Sequence, residues 1–221
     1  MIENDKVAAP LDRPYRSLVR MVEDLFAQHG DSHRGLGYPK PEGFDARYRV
    51  YLDVTRFRPA NSEKCTMLDV GCGTGRLLDE IKASGRTDII YRGIDLSPVL
   101  LEAAKKKYPE ADLICGDPFD LDEIWSATPD YIVFGGIFTC RLEMSEEQMT
   151  DYMIRFLRLA FAHCRRGLVF NVMSDHVDWK RDDLFHVPFD RMAEILQENL
   201  NRNYIFRADY GLYEYAVYVY K

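Results

Sequence analysis

The chain has 221 residues, of which 47% are hydrophobic, and carries a formal net charge of −7 at pH 7. This length and composition predict one domain with an appendage, and enough apolar residues for a full core. The acidic balance argues against nucleic acid as a partner, and no apolar run approaches the ~18 residues that a membrane-spanning helix requires.

The five cysteines are dispersed and form neither a CxxC pair nor a metal-ligand spacing. They are typical of small buried residues in a reducing compartment, and no metal site is expected. Residues 1–16 are charged and lack the apolar centre of a signal peptide. We therefore expect a cytoplasmic protein that acts away from membranes, as a monomer or a homodimer.

Two helices are predicted before the core. Apolar residues at helical spacing lie within residues 11–29, and a second helix is expected from Phe44 to Phe57. The segment between them, residues 30–43, is rich in glycine and proline and is expected to be a loop, either a lid, a hinge or a plain linker. We expect residues 1–60 to form a helical cap and residues 61–221 to form the core.

Strands and helices alternate from about Cys65 onward, which predicts a parallel sheet with helices on both faces. Ser97 is the expected N-cap of a helix that begins at Pro98, and further helices are expected over residues 145–164 and 190–200. The predicted strands of this core are Met67–Val70, Ile89–Ile94, Leu113–Cys115, Tyr131–Phe134 and Leu168–Val172.

The end of the chain differs from this alternation. Residues 204–210 and 212–220 are predicted to be two strands joined almost directly at Gly211, and so short a join permits only antiparallel pairing. The predicted fold class is therefore α/β: a doubly wound, mostly parallel, seven-stranded sheet that ends in an antiparallel hairpin and carries an N-terminal helical cap.

The stretch from Asp69 to Gly75 carries the strongest functional signal. A short apolar strand ends in Asp69, glycines stand at every second position, and a helical pattern begins at once, which is how α/β proteins build a cofactor cradle. The dinucleotide fingerprint would need a third glycine where the chain has Arg76. The open loop and the Asp69 carboxylate suit a bulkier, cationic ligand better than a diphosphate.

Asp95 ends the second predicted strand. A carboxylate there can accept hydrogen bonds from two ribose hydroxyls. The alternative is that Asp95 only provides the negative charge that is favoured at the start of the next helix.

These residues resemble the class I S-adenosylmethionine-dependent methyltransferase family, small-molecule type, over residues 65–221. The resemblance implies a Rossmann-like fold, S-adenosyl-L-methionine as cofactor, and methyl transfer to an oxygen or nitrogen of a small-molecule acceptor. The residues that it assigns are Asp69, Gly71, Cys72, Gly73 and Gly75 for the methionine moiety, Asp95 for the ribose, Leu96, Asp117 and Pro118 for the adenine, and Gly135 for the path between cofactor and acceptor.

A second resemblance covers the N-terminal stretch. Gly30-Asp31, Gly35 to Tyr38 and Arg47-Tyr48 are similar to a pattern that precedes the glycine motif in some small-molecule members. It implies that Tyr38 and Arg47 lie close to the methionine carboxylate of the cofactor or to the substrate, since the planar donors of an arginine suit a carboxylate. The alternative for Arg47 is a solvated helix face.

Methyl transfer is an in-line displacement whose leaving group is neutral, so catalysis depends on placement and desolvation. An acceptor hydroxyl or ammonium must also lose a proton, for which a general base is useful. His176, after the fifth strand, is the first candidate and His186 the second. The alternative for either is a surface histidine bonded locally to Asp175 or Asp178.

Several family branches do not fit the sequence. The segment after the fourth strand lacks the (D/N)PP(Y/F) motif of DNA amino-methyltransferases, and no Pro-Cys pair exists for cytosine C5 methylation. Three alternatives stay open: a non-catalytic cofactor-binding module, a protein methyltransferase, and an NAD-dependent enzyme, against which Arg76 and the terminal hairpin argue.

Overall fold

The structure is a computed structural model that describes residues 13, 15–41, 43–59 and 62–221. Its strands are β1 Cys65–Val70, β2 Ile89–Asp95, β3 Asp112–Cys115, β4 Tyr131–Phe138, β5 Gly167–Met173, β6 Tyr204–Arg207 and β7 Glu214–Tyr220. They form one seven-stranded sheet in the order β3-β2-β1-β4-β5-β7-β6.

The directions of the strands confirm the predicted topology. Strands β1 to β5 run parallel, whereas β7 pairs antiparallel with both β5 and β6. β4 extends beyond its predicted end at Phe134, and its register with β5 shifts between Phe134 and Phe138. Gly136 lies inside this shift with a φ of 79°, so the backbone bulges where the strand enters the site.

The helices are α1 Arg16–His29, α2 Ala46–Leu52, α3 Arg76–Ala83, α4 Pro98–Lys107, α5 Asp122–Ser126, α6 Glu146–His163 and α7 Phe189–Asn199. Ser97 caps α4 as predicted, since its Oγ accepts from the backbone N–H of Leu100. The expected second helix was too long: α2 ends at Leu52 and continues only as a 3₁₀ turn, Asp53–Thr55. Across the described ranges, none of these helices combines the length and the apolar character needed to cross a membrane.

Alternating side chains of the strands build a core on each face of the sheet. Leu68 and Phe134 face α5, α6 and α7, whereas their neighbours Met67 and Val133 face α2 and α3. This period of two is what a doubly wound sheet requires. The carboxyl ends of β1, β2 and β4 therefore meet at one edge between the two helix layers.

The prediction of an almost direct join at Gly211 was wrong, because residues 208–213 form a longer connection between β6 and β7. At the start of this connection, Arg207 donates to Asp209 at 2.6 Å. The loop also reaches the cap, where a Cβ added at Gly43 would lie 2.5 Å from a Leu212 methyl carbon. The connection is therefore a loop that contacts the cap and not a tight turn.

The loop between α1 and α2 is fastened across the glycine loop. Asp31 accepts from the hydroxyl of Thr74 at 2.6 Å and from the guanidinium of Arg76 at 2.9 Å. Farther along, α2 packs against α3 and β4, and α1 packs against α4. The cap elements thus lie over the carboxyl end of the sheet, while a domain boundary at residue 60 stays a prediction.

Candidate functional site

A cavity of about 220 Å³ lies at the carboxyl ends of β1, β2 and β4. Ligands of open α/β sheets bind in this crevice, where the strand order reverses. The sheet contributes the wall around Asp69, Asp95 and Gly135. The cap closes the other side with Leu18, Val19, Met21, Val22, Leu36, Tyr38, Tyr48 and Tyr51.

The glycine loop needs its glycines for two reasons. Gly71, Gly73 and Gly75 have φ values of 75°, 52° and 82°, which side chains rarely adopt. A Cβ at Gly71 would lie 2.9 Å from Cδ1 of Ile137, whereas a Cβ at Gly73 would meet nothing within 4 Å. Gly71, Cys72 and Gly73 line the cavity, while Gly75 turns the chain into α3 without lining it.

Asp69 is a buried carboxylate in the cavity wall. One of its oxygens accepts from the hydroxyl of Tyr91 at 2.8 Å. Burial raises the pKa of Asp69 to about 7, the Tyr91 hydrogen bond opposes this, and nearby Asp95 adds to it. A carboxylate under this desolvation penalty is stabilised by a cationic ligand, as expected from its position before the glycines.

Asp95 divides its two oxygens between two backbone donors. Oδ2 accepts from the N–H of Gly73 at 2.7 Å, and Oδ1 accepts from the N–H of Ser97 at 2.8 Å. Burial raises the pKa of Asp95. Each oxygen keeps lone pairs for a further donor, so the fixed carboxylate can serve two neighbouring hydroxyls.

Leu96 and Pro118 line the apolar end of the cavity together with Leu100. Asp117 is buried next to this end but does not line the cavity. Its Oδ2 accepts from the hydroxyl of Tyr15 at 2.7 Å and from the guanidinium of Arg13. The start of the cap therefore holds the acid that the resemblance assigns to the adenine, and no local motif in the sequence pointed to Arg13 or Tyr15.

Arg47 lies one layer behind the cavity wall. Its guanidinium carbon is 3.7 Å from the ring centroid of Tyr38, which lines the cavity. Its Nε and Nη2 donate to the carboxylate of Glu214 at 3.2 and 3.4 Å, and its Nη1 is buried without a hydrogen-bond partner among the described residues. The alternative of a solvated face is excluded for Arg47, and Glu214 is a neighbour that sequence patterns did not single out.

Neither histidine candidate lines the cavity. The side chain of His176 is 77% exposed and packs on Phe189 at a centroid distance of 5.8 Å. His186 is partly buried, and its Nδ1 lies 2.6 Å from the carbonyl oxygen of Ser174. Because a carbonyl only accepts, Nδ1 of His186 is the donor in this contact.

The cavity fits the parts of S-adenosyl-L-methionine. A buried carboxylate suits the cationic methionine end, Asp95 suits a pair of ribose hydroxyls, and Leu96 and Pro118 offer apolar surface for a flat ring. The match to the cofactor rests on these side chains and on the glycine loop of this chain.

Comparisons with known proteins agree with this geometry. A family model described as a methyltransferase domain matches residues 67–160. Mycobacterium tuberculosis Rv1506c, which is named as a methyltransferase, is 33% identical over 159 residues, covering 69% of this chain and 91% of the relative. The 18S rRNA (guanine-N(7))-methyltransferase of Mus musculus is 43% identical over 51 residues, covering 23% of this chain and 17% of the relative.

The fold is also shared with a solved structure. Magnesium protoporphyrin IX methyltransferase from Synechocystis PCC 6803, with bound SAH, superimposes with a TM-score of 0.64 over 93% of this chain and 99% of that chain, at 13% identity. These findings settle the choice between a nicotinamide enzyme and a methyltransferase. The chain belongs to the class I methyltransferase family, whose cofactor is S-adenosyl-L-methionine.

Proposed function

We propose that the protein transfers a methyl group to an oxygen or nitrogen of a small-molecule metabolite by in-line displacement. One observation carries this proposal: the cavity continues from the glycine loop to a wall of Tyr38, Tyr48 and Tyr51, which faces Gly135 and Gly136. An acceptor has to fit between the cap and the sheet, which favours a metabolite over a macromolecular chain.

The cofactor residues have separate tasks in this proposal. S-adenosyl-L-methionine supplies an electrophilic methyl group on a sulfonium. Asp69 binds the ammonium of the methionine moiety, the glycine loop gives its backbone access, and Asp95 holds the ribose. Leu96 and Pro118 pack on the adenine, and Asp117 stays the candidate partner of its amino group through the lone pairs that Arg13 and Tyr15 leave free.

Arg47 is proposed to act from behind Tyr38. Its unpartnered Nη1 is a donor for the methionine carboxylate or for an acceptor oxygen, once a ligand reaches the edge of the Tyr38 ring. The hydroxyl of Tyr38 lies against Gly136, because a Cβ added there would be 2.6 Å from it. Tyr38 therefore reaches the end of β4, where cofactor and acceptor are expected to meet.

The cap is proposed to have two parts. α1 covers the cofactor end, since Leu18 and Val22 line the cavity with Leu96 and Pro118. The loop after α1 and helix α2 cover the acceptor end with Tyr38 and Tyr51. Both parts exclude water, which strengthens electrostatic contacts in the cavity.

A labelling experiment tests this function. The purified protein is incubated with methyl-labelled S-adenosylmethionine and, separately, with the low-mass, RNA and protein fractions of a cell extract. We expect label only in the low-mass fraction, with transfer lost in Asp95→Ala and retained in Asp112→Ala, whose carboxylate is exposed and pairs with Arg92. Label confined to RNA or protein would contradict a metabolite acceptor.

A further inference from the structure

The acceptor end of the cavity offers hydrogen-bond donors but no general base. Among the described residues, the charged side chains that line the cavity are Asp69, Arg76 and Asp95, and no histidine, lysine or glutamate lines it. Asp69 and Asp95 flank the glycine loop on the cofactor side. Arg76 is held by Asp31 at 2.9 Å. In the function proposed above, Asp69 and Asp95 are occupied by the cofactor, and an arginine stays protonated, so none of the three takes a proton from an acceptor.

The tyrosines of the acceptor wall are hydrogen-bond donors at neutral pH. Burial raises the pKa of Tyr38 and raises the pKa of Tyr48 and Tyr51 still more, so all three phenols keep their protons. Burial also raises the pKa of the thiol of Cys140, which lines the cavity too. These groups can donate a hydrogen bond to a lone pair of the acceptor, but they cannot remove a proton from the acceptor.

Within the described ranges, Tyr51 has an unpartnered hydrogen-bond donor in the acceptor wall. The residue is fully buried and lines the cavity, yet its hydroxyl has no hydrogen-bond partner among the described residues. Its ring lies over Gly135, where an added Cβ would be 3.1 Å from a ring carbon. Since buried polar groups are nearly always paired, this hydroxyl marks a place for a ligand oxygen.

We propose that the methyl acceptor is a small organic acid that enters as a carboxylate, one oxygen of which accepts the hydrogen bond of Tyr51. The proposal rests on the function proposed above and narrows it. A lone pair of the carboxylate forms the new O–CH₃ bond while the S–CH₃ bond breaks and its electron pair stays on sulfur. The charges of carboxylate and sulfonium are both lost, and no proton is released.

This chemistry explains how the site works without a base. An amine arrives as an ammonium ion, and an alcohol arrives with its proton, so each must give up a proton before or during the transfer. A carboxylate is already ionised in neutral water. The product is therefore a methyl ester.

The first test compares acceptors of matched shape. Benzoate, benzyl alcohol and benzylamine, and likewise butyrate, butanol and butylamine, are offered with S-adenosylmethionine, and both S-adenosylhomocysteine formation and proton release are measured near neutral pH. We expect turnover of carboxylates without proton release. Turnover of an alcohol or amine, with one proton per transfer, would overturn the carboxylate assignment but keep the proposed function; turnover of none would overturn both.

The second test removes single hydroxyls. Tyr51→Phe is expected to raise the KM of the carboxylate about tenfold, the effect of one hydrogen bond to a charged group, and to leave S-adenosylhomocysteine affinity unchanged. Tyr220→Phe is the matched control, since the Tyr220 hydroxyl is also buried without a partner in the described part of the chain but lies outside the cavity lining. An unchanged KM in Tyr51→Phe would overturn the role of Tyr51.

Discussion

Glu214, in the last strand, holds Arg47, in the second helix, through two contacts of 3.2 and 3.4 Å between side chains that are both buried. The same arginine lies against the ring of Tyr38. The ion pair thus ties the acceptor wall to the core at a point far away in sequence. A buried charge that loses its partner is costly, so this contact matters for stability as well as for the shape of the cavity.

Replacement of Glu214 is expected to destabilise the protein. Glu214→Ala leaves Arg47 buried and unpaired, and should lower the free energy of unfolding by about 3–5 kcal/mol in urea denaturation. The control is Glu102→Ala, which breaks a solvent-exposed pair with Lys106 and should have no measurable effect. Equal midpoints for the two variants would show that the buried pair contributes no more than a surface one.

Asp95 is expected to determine cofactor affinity. Asp95→Ala removes the carboxylate proposed to bind the ribose and should weaken S-adenosylhomocysteine binding by about 1.5–3 kcal/mol, as for hydrogen bonds to a charged group. Isothermal titration measures this directly. The affinity should stay the same in Asp112→Ala, and an unchanged affinity in Asp95→Ala would remove Asp95 from the site.

Asp69 should make stability depend on pH. Its pKa is about 7, above the ordinary 3.8, so between these values the folded protein holds a proton that the unfolded chain has released. Stability should therefore fall as pH rises through this window. Asp69→Asn cannot ionise and should be more stable than the native protein at about pH 8 but not at about pH 4, as thermal unfolding would reveal.

Cofactor binding should show the opposite dependence on pH. Because the ammonium of the cofactor is proposed to bind the ionised carboxylate, affinity for S-adenosylhomocysteine should rise as pH increases from about 6 to about 8, through the Asp69 pKa near 7. Asp69→Asn should bind weakly and without this rise. A flat native profile would show that Asp69 is not the partner of the ammonium.

Arg13 is expected to control how fast the cofactor leaves. Its guanidinium joins the start of the cap to Asp117 and Asp120, and the helix that follows lines the cofactor end of the cavity. Arg13→Ala should raise the dissociation rate of S-adenosylhomocysteine about tenfold. This corresponds to a loss of roughly 1.4 kcal/mol in the stability of the closed cap. Stopped-flow measurements give these rates. Arg16→Ala is the control, since Arg16 is half-exposed and its guanidinium is no closer than 3.9 Å to the carboxylate of Asp117.

His176 should be dispensable for methyl transfer. Its exposed ring packs on Phe189 outside the cavity lining, so His176→Ala should retain the native kcat with any acceptor found by the labelling experiment. The kcat of His186→Ala is measured for comparison, because Nε2 of His186 is buried and has no hydrogen-bond partner in the described structure. A large loss of kcat in His176→Ala alone would restore it as the general base.

The parts of the fold that the sequence predicted are those that local patterns determine. Apolar runs such as Tyr131–Phe134 identified the parallel strands, and the cap of α4 followed from Ser97 and Pro98. Helix α5 was missed because five residues are too short for a clear period. The longer connection after β6 was missed because residues 208–213, apart from Asp209 and Gly211, are as apolar as the strands on either side.

The site was predictable where its residues follow a strand. Asp69, Gly71, Gly73 and Asp95 all line the cavity. The contacts of Arg13 with Asp117 and of Arg47 with Glu214 span 104 and 167 residues, and one sequence does not show which residues form such distant pairs. One clue was present: Glu214 is the one charged residue in the apolar run of residues 212–220, and a lone charge in a buried strand needs a partner.

The ion pair of Arg47 and Glu214 also sets an order of events during synthesis. The ribosome releases Arg47, the glycine loop and Asp95 well before Glu214, which lies in the last strand. A nascent chain therefore exposes most of the cofactor residues before the arginine behind the acceptor wall has its counter-ion. The arginine behind the acceptor wall can therefore form its ion pair only after the strand that carries Glu214 has been translated.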